Sequence, residues 1–200
     1  MAVISQRRNF VFVIVVFICI ACSEARNYEN NMDGRLDFRC SSQNEAIKSI
    51  YSTHNAYYED RTFDIGCATV PYAEGSRYCD STGSWKNKLD ELLAFHCSAN
   101  RYIVGMISVH DDSTEDRKWR FYCCGYSNIY LHSCELTDWT NSFDNVQSFY
   151  VPSGKVITGV VSIHSNYYMD RIYRYNLCKV GKVPVKKVHI HRYPVIEQND

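Results

Sequence analysis

The sequence predicts an all-β fold: a single disulfide-stabilised domain built from a pseudo-three-fold repeat of β-hairpin units, with little helix. Three observations support this prediction. The 200 residues include ten Cys and sixteen Tyr, a combination typical of strand-rich extracellular proteins. A pattern of Ile, Ser and His occurs three times. Each copy is followed by an Asp-Arg dipeptide and then by alternating aromatic residues, which is the period of a half-buried strand.

The composition limits the possible classes of function. Hydrophobic residues make up 46% of the chain and aromatic residues 14%, which is enough to bury a core and excludes a disordered or collagen-like chain. Lys and Arg number 22, and Asp and Glu also number 22, so the formal charge is zero. Because non-specific nucleic-acid binding requires a basic field, no nucleic-acid partner is expected.

Residues 1–25 have the features of a secretory signal peptide. Two arginines precede an apolar run from Phe10 to Cys22, and the small residues Ser23 and Ala25 mark a cleavage site. The run is shorter than the about 20 residues that a transmembrane helix needs, although an uncleaved signal anchor stays an alternative. No later segment is long and apolar enough to span a bilayer, so the sequence predicts a secreted, extracellular product.

Each copy of the repeat predicts one β-hairpin. The Ile is followed after five residues by Ser and after seven by His, and the Asp-Arg dipeptide begins 13 residues after the Ile. The β-branched Ile segment predicts a first strand, the polar residues after His predict a loop, and the alternation after Arg predicts a second strand. The copies begin at Ile47, Ile103 and Ile157, and their alternating residues are Phe63 and Ile65, Trp119 and Phe121, and Tyr173 and Tyr175.

The repeat also predicts the domain organisation. The three copies cover about residues 38–68, 95–124 and 149–178 of one domain that spans 36–180. A short amino-terminal segment, 26–35, precedes this domain, and a basic carboxy-terminal tail, 181–200, follows it. One hairpin is too small to bury its own apolar face, so we expect the three hairpins to bury it together.

One segment favours a helix. Leu89, Leu92 and Leu93 lie three and four residues apart between Trp85 and Phe95, a spacing that places them on one helical face. Helical periodicity is scarce elsewhere, so this segment is the one candidate helix.

Eight cysteines follow the signal peptide, and the repeat predicts their pairing. In the first two copies one Cys lies two residues after a Phe, and another lies six residues after the Arg of the Asp-Arg dipeptide. The third copy has apolar residues, Val151 and Leu177, at both positions, and the joint loss indicates a bonded pair. The remaining cysteines give similar gaps of 45 and 44 residues. The predicted disulfides are Cys40–Cys67, Cys97–Cys123, Cys79–Cys124 and Cys134–Cys178.

The motif around the second Asp-Arg dipeptide resembles the dermatopontin family. Residues 115–124 read Glu-Asp-Arg-Lys-Trp-Arg-Phe-Tyr-Cys-Cys, and the Asp-Arg-x-aromatic pattern recurs at Asp60 and Asp170. The resemblance covers roughly residues 36–178. It implies a secreted, disulfide-looped protein without enzymatic activity, with relatives in collagen fibril organisation, proteoglycan binding and cell adhesion. Invertebrate relatives include haemagglutinins and amebocyte aggregation factors.

The chain departs from the vertebrate pattern of that family in two ways. It retains only Tyr28 of a Tyr-rich, acidic amino-terminal stretch, so the resemblance does not extend to partners that depend on sulfated tyrosines. It also has fewer cysteines after the signal peptide, which is compatible with a family framework that has lost one bridge.

The Asp-Arg dipeptides have two interpretations. In the structural one, the planar Arg fork binds carbonyls or carboxylates and fixes a loop to a strand in each copy. In the functional one, carboxylates and Arg bind sugar hydroxyls while an aromatic ring packs on the apolar face of the sugar. The candidate ligand-binding residues are Asp60, Arg61, Asp116, Arg117, Trp119, Asp170 and Arg171.

Two further groups of residues are candidate sites. His54, His110 and His164 occupy equivalent positions and could meet at one metal ion, but three half-buried packing positions explain them better, so no metal or cofactor is expected. The tail is locally basic, and an extended arm could bind sulfated glycosaminoglycans through its charge; a solvated tail is the alternative. The candidate glycosaminoglycan-binding residues are Lys182, Lys186, Lys187 and Arg192.

The sequence therefore predicts a secreted, non-enzymatic adhesion protein of the extracellular matrix that binds collagen, proteoglycans or cell-surface components. The alternative is a secreted lectin or haemagglutinin-type aggregation factor in innate defence. The Cys123-Cys124 pair does not indicate a phospholipase, because the His-Asp pair that would activate water does not follow it.

Overall fold

The computed structural model describes residues 26–80 and 83–184, and this part of the chain is all-β. It contains eleven strands and no helix, and thus no helix able to cross a membrane. Residues 1–25, the predicted signal peptide, and residues 185–200, most of the predicted basic tail, lie outside the described residues. The strands are β1 (Leu36–Arg39), β2 (Glu45–Asn55), β3 (Asp60–Thr69), β4 (Arg77–Cys79), β5 (Leu93–His96), β6 (Tyr102–Asp111), β7 (Asp116–Tyr126), β8 (Ile129–Leu136), β9 (Gln147–Tyr150), β10 (Lys155–Ser165) and β11 (Asp170–Lys182).

Three long hairpins form the body of the fold. They are β2–β3, β6–β7 and β10–β11, and each has a register shift near the start of its first strand. In each hairpin the His of the repeat lies opposite the Arg of the Asp-Arg dipeptide. These matching registers are compatible with the predicted three-fold repeat.

A short strand before each long hairpin connects it to a neighbour. β1 pairs with β6 of the second hairpin and β5 pairs with β10 of the third, while β9 returns to pair with β2 of the first. Each short strand thus pairs with the hairpin after the one that it precedes, and β9 pairs with the first hairpin, so the three hairpins are connected in a closed ring. The short strands begin opposite the Ser of the repeat, with the pairs Leu36–Ser108, Leu93–Ser162 and Gln147–Ser52.

Three aromatic residues, one from each hairpin, are in contact at the centre of the core. Phe63, Trp119 and Tyr173 are buried, and their rings pack edge to face with centroids 5.4 Å, 6.3 Å and 5.9 Å apart. Each such pair contributes about 0.5–1.5 kcal/mol beyond the area that it buries. The period-two alternation after each Arg therefore predicted the core correctly, and the three hairpins bury one shared face.

The helix predicted between Trp85 and Phe95 is wrong. The segment forms bends and a turn, and then enters β5 at Leu93. Asp90 in the turn has a left-handed backbone with φ of 61°, which a helix does not accommodate. Leu93 is fully buried and pairs with β10, so tertiary strand pairing overrides the local helical spacing.

The four disulfides join the same cysteines that the repeat predicted: Cys40–Cys67, Cys79–Cys124, Cys97–Cys123 and Cys134–Cys178. In the third copy, Val151 and Leu177 are both buried in the main core. Apolar packing therefore replaces the bridge that the other two copies have at this place.

Candidate functional site: the inter-hairpin ring and the hairpin ends

Each Asp-Arg dipeptide forms ion pairs with other hairpins and not within its own. Every Arg donates from Nε and Nη2 to both carboxylate oxygens of an Asp in another hairpin, at distances of 2.5–2.8 Å. This bidentate geometry is the strongest form of the Arg–carboxylate pair. We call these six residues the inter-hairpin ring; the pairs are Arg61 with Asp170, Arg117 with Asp60, and Arg171 with Asp116.

The loop before each short strand completes the ring. Each Arg Nη2 also donates to a loop carbonyl, and each Asp Oδ2 accepts a loop amide N–H at 2.8–2.9 Å. Buried charges are tolerated when they are paired and hydrogen-bonded in this way. The carbonyls belong to Gly34, Glu91 and Asn145, and the amides to Asp33, Asp90 and Asp144.

The seven candidate ligand-binding residues all lie inside the protein. The six ring residues and Trp119 are each no more than 3% exposed. The Trp119 ring contacts Phe63 and Tyr173 in the core, so neither ring face is open to a saccharide. The geometry therefore favours the structural interpretation of the Asp-Arg dipeptides.

Three buried asparagines support the ring, and the sequence reasoning missed them. Each donates to the carbonyl of a ring Arg and accepts the N–H of the core aromatic residue two positions later, at 2.9–3.0 Å. The signal was available, because each Asn precedes its Arg by 30 or 31 residues. They are Asn30, Asn87 and Asn141.

The three histidines belong to separate groups. Their side chains are buried, and each Nδ1 lies 3.1–3.5 Å from an Asp of a neighbouring loop. Within the described residues, each His forms its own group with two Asp side chains, so the three imidazoles do not meet at one centre. Two of these groups share a ring Asp whose oxygens already bind an Arg. The pairs are His54 with Asp144, His110 with Asp33, and His164 with Asp90.

The turns of the three long hairpins lie at one end of the molecule. The ring joins the residues that directly follow each turn, so the turns surround it. The last residue of each turn has a left-handed backbone, with φ of 45–48°, and it lines a small depression above the ring. These residues are Glu59, Glu115 and Met169.

Two of these turns carry exposed tyrosine pairs. Tyr57 and Tyr167 are 85% and 86% exposed. Each packs edge to face on the next tyrosine, with centroids 5.0 Å and 4.8 Å apart. In the third hairpin a neighbouring loop adds Phe143, which stacks on Tyr168 at 4.9 Å. We call this aromatic set the hairpin-end surface: Tyr57, Tyr58, Phe143, Tyr167 and Tyr168.

Of the candidate glycosaminoglycan-binding residues, only Lys182 lies in the described part of the chain. It is exposed at the end of β11, with Nζ 5.9 Å from the centre of the Tyr72 ring. Lys186, Lys187 and Arg192 lie outside the described residues, so the binding role of the tail stays a prediction.

Comparison with known proteins supports the family resemblance that the motif at residues 115–124 indicates. A family model described as dermatopontin matches residues 30–183. A hemagglutinin/amebocyte aggregation factor of Limulus polyphemus is 34% identical over 170 residues, which are 84% of this chain and 95% of that protein. Millepora cytotoxin-1 of Millepora dichotoma is 33% identical, covering 78% of this chain and 68% of its own length. A dermatopontin of Biomphalaria glabrata is 29% identical, covering 74% and 98%. No solved structure matches the chain. Since the family model covers most of its length, the chain belongs to the dermatopontin family.

Proposed function

We propose that the chain is a secreted, non-enzymatic adhesion protein of the extracellular matrix, and that the hairpin-end surface contacts collagen, proteoglycans or cell-surface components. The observation that carries this proposal is the exposure of Tyr57 and Tyr167 at the same end of the molecule. Clustered aromatic residues on a surface are typical of binding sites. The dermatopontins among its relatives support a place in the matrix.

The fold does not require aromatic residues at these positions. The second hairpin has the polar residues Ser113 and Thr114 where the other two have their tyrosine pairs. All three turns nevertheless end in a residue with a left-handed backbone that is followed by a ring Asp. Since the turn forms equally with polar residues, the tyrosines are available for a role other than stability.

The second candidate is a lectin-type aggregation factor in innate defence. A sugar site combines an aromatic ring with a carboxylate that binds hydroxyls, and Tyr58 is followed directly by Glu59 at the central depression. The Limulus relative, described as a hemagglutinin and amebocyte aggregation factor, supports this candidate.

A binding experiment with paired variants tests the proposal and separates the two candidates. The full mature chain, the Tyr57→Ala/Tyr167→Ala variant and a Tyr150→Ala control are applied to immobilised fibrillar collagen and to a neutral glycan array. Tyr150 is 70% exposed but lies on β9, away from the turns. We expect the double variant to lose at least tenfold in affinity and the control to lose less than twofold. Collagen binding without sugar inhibition supports the matrix function, and sugar-inhibited glycan binding supports the lectin function. Equal binding by all three proteins would contradict the role of the hairpin-end surface.

A further inference from the structure

A cleft at the second hairpin contains two arginines that form no ion pair with any residue in 26–80 or 83–184. It crosses the four-stranded sheet β1–β6–β7–β4 and has a volume of about 320 Å³. Arg39 comes from one edge strand and Arg77 from the other, with Tyr122 between them. The remaining lining residues are Cys79, Asp80, Val104, Cys123 and Cys124.

Arg39 is held in place by stacking. Its guanidinium carbon lies 3.5 Å from the centre of the Tyr122 ring. The glycine at position 105 makes room for this contact, because a Cβ there would lie 3.0 Å from both the Tyr122 ring and the Arg39 backbone. A guanidinium stacked on an aromatic face keeps its in-plane N–H groups available for an anion.

Arg77 faces the same cleft from β4. Its Nε is buried and has no hydrogen-bond partner among residues 26–80 and 83–184. Such a donor is satisfied by a water molecule or by an acceptor that a ligand supplies. Nε of Arg174 is also buried without a partner in the same part of the chain, so Arg77 is distinguished by its place in the cleft. Arg39 and Arg77 together form a local positive site in a chain whose formal charge is zero.

Among the residues that the structure describes, the one carboxylate that lines the cleft is already paired. Asp80 Oδ1 lies 2.9 Å from Nε of Arg101. In the described part of the chain, neither Arg39 nor Arg77 forms an ion pair. The cleft is therefore net positive, and its donors are planar forks that match the oxygens of a sulfate or carboxylate group.

From this arrangement we propose that the Arg39–Arg77 cleft binds a sulfate ester of a polysaccharide. The guanidinium groups bind the ester oxygens, and the volume of the cleft accommodates the sugar residue that carries them. The cleft lies six residues along β6 and β7 from the hairpin turn, which is about 20 Å. It is thus separate from the hairpin-end surface, and one molecule can hold a polysaccharide at the cleft while its turns contact a second partner.

The test measures binding of a heparin hexasaccharide to the full mature chain by calorimetry, with the chemically desulfated hexasaccharide as the ligand control. Arg39→Gln/Arg77→Gln removes both charges of the cleft. Arg174→Gln is the matched control, because Arg174 is also stacked on an aromatic ring, Trp139, but lies outside the cleft. We expect the double variant to bind at least tenfold more weakly and the control to stay within twofold of the parent. The desulfated ligand should bind all three proteins weakly.

Two further variants keep the test decisive. Arg39→Lys/Arg77→Lys retains the positive charge of the cleft but loses the planar forks. An affinity for the hexasaccharide between those of the parent and the Gln variant supports recognition by geometry. The Lys variant also replaces the Gln variant if the Gln variant fails to fold. Tyr57→Ala/Tyr167→Ala should bind the hexasaccharide as the parent does, which separates this proposal from that of the hairpin-end surface. Parent-like affinity in a folded Gln double variant would overturn the proposal and would place sulfate binding elsewhere, for example on the basic tail. Parent-like affinity in the Lys double variant would overturn recognition by the planar forks.

Discussion

The guanidinium of Arg171, on β11, donates two hydrogen bonds of 2.5 Å and 2.8 Å to the carboxylate of Asp116, on β7 of a different hairpin. The neighbouring Asp170 in turn accepts two from Arg61 of the first hairpin. Each hairpin therefore supplies a cation to one neighbour and an anion to the other. Because the circle is closed, removing any member leaves a buried charge in another hairpin without its partner.

Replacing one ring carboxylate is expected to destabilise the whole domain. Asp60→Ala leaves Arg117 buried and unpaired, which costs about 3–5 kcal/mol of unfolding free energy. The exposed pair Arg35–Asp37 serves as a control, because Arg35→Ala should cost less than about 1 kcal/mol. Urea unfolding at neutral pH measures both. A loss below about 1 kcal/mol for Asp60→Ala would mean that the ring is not an essential ion-pair network.

The third copy of the repeat indicates how the first can lose its bridge. Cys40→Val/Cys67→Leu introduces the residues that occupy equivalent positions as Val151 and Leu177. Loss of the disulfide should lower the unfolding free energy by about 2–4 kcal/mol, but the apolar pair restores packing. We therefore expect Cys40→Ala/Cys67→Ala to be less stable than the Val/Leu variant by about 1–2 kcal/mol. Equal stability of the two variants in urea would show that packing at this place contributes nothing.

Buried tyrosines predict a loss of stability in alkali. Burial raises the pKa of Tyr102, Tyr173 and Tyr175 in the folded protein, whereas an unfolded tyrosine ionises near pH 10. The unfolded state therefore releases these protons first. The contribution of the three tyrosines to stability is constant below about pH 10 and falls above it, by up to about 1.4 kcal/mol per pH unit for each tyrosine.

Urea unfolding between neutral pH and strong alkali measures this slope. Tyr102→Phe should make it shallower, and Tyr57→Phe should not, because Tyr57 is exposed. A slope that Tyr102→Phe leaves unchanged would contradict the assignment to buried tyrosines.

Much of the fold could be predicted because the repeat aligns three copies of the same strands. The alternation of apolar residues that begins at Phe63, Trp119 and Tyr173 identified the core strands. The replacement of two cysteines by Val151 and Leu177 in the third copy identified a disulfide of the other two copies. The pairing between hairpins could not be predicted, because three identical Asp-Arg dipeptides do not indicate which Asp binds which Arg. For the same reason, the return of β9 to the first hairpin is visible only in the structure.

The candidate site was harder to predict than the fold. A repeated Asp-Arg dipeptide is equally compatible with a structural role and with a binding site. In the structure, these residues form the buried inter-hairpin ring, which is a structural role. The residues proposed for binding, such as Tyr57 and Tyr167, are those in which the copies differ, since the second hairpin has Ser113 there. A comparison of the copies identifies only the residues that they share, and the tyrosines at positions 57 and 167 are not among these.

The most direct test of the adhesion proposal is the binding of immobilised fibrillar collagen by the full mature chain, by the Tyr57→Ala/Tyr167→Ala variant and by the Tyr150→Ala control. Tyr57 and Tyr167 contact little beyond their neighbouring tyrosines, so all three proteins should unfold within about 0.5 kcal/mol of one another. We expect the double variant to lose at least tenfold in affinity for collagen and the control to stay within twofold of the parent. Parent-like collagen binding by a folded double variant would contradict adhesion through the hairpin-end surface.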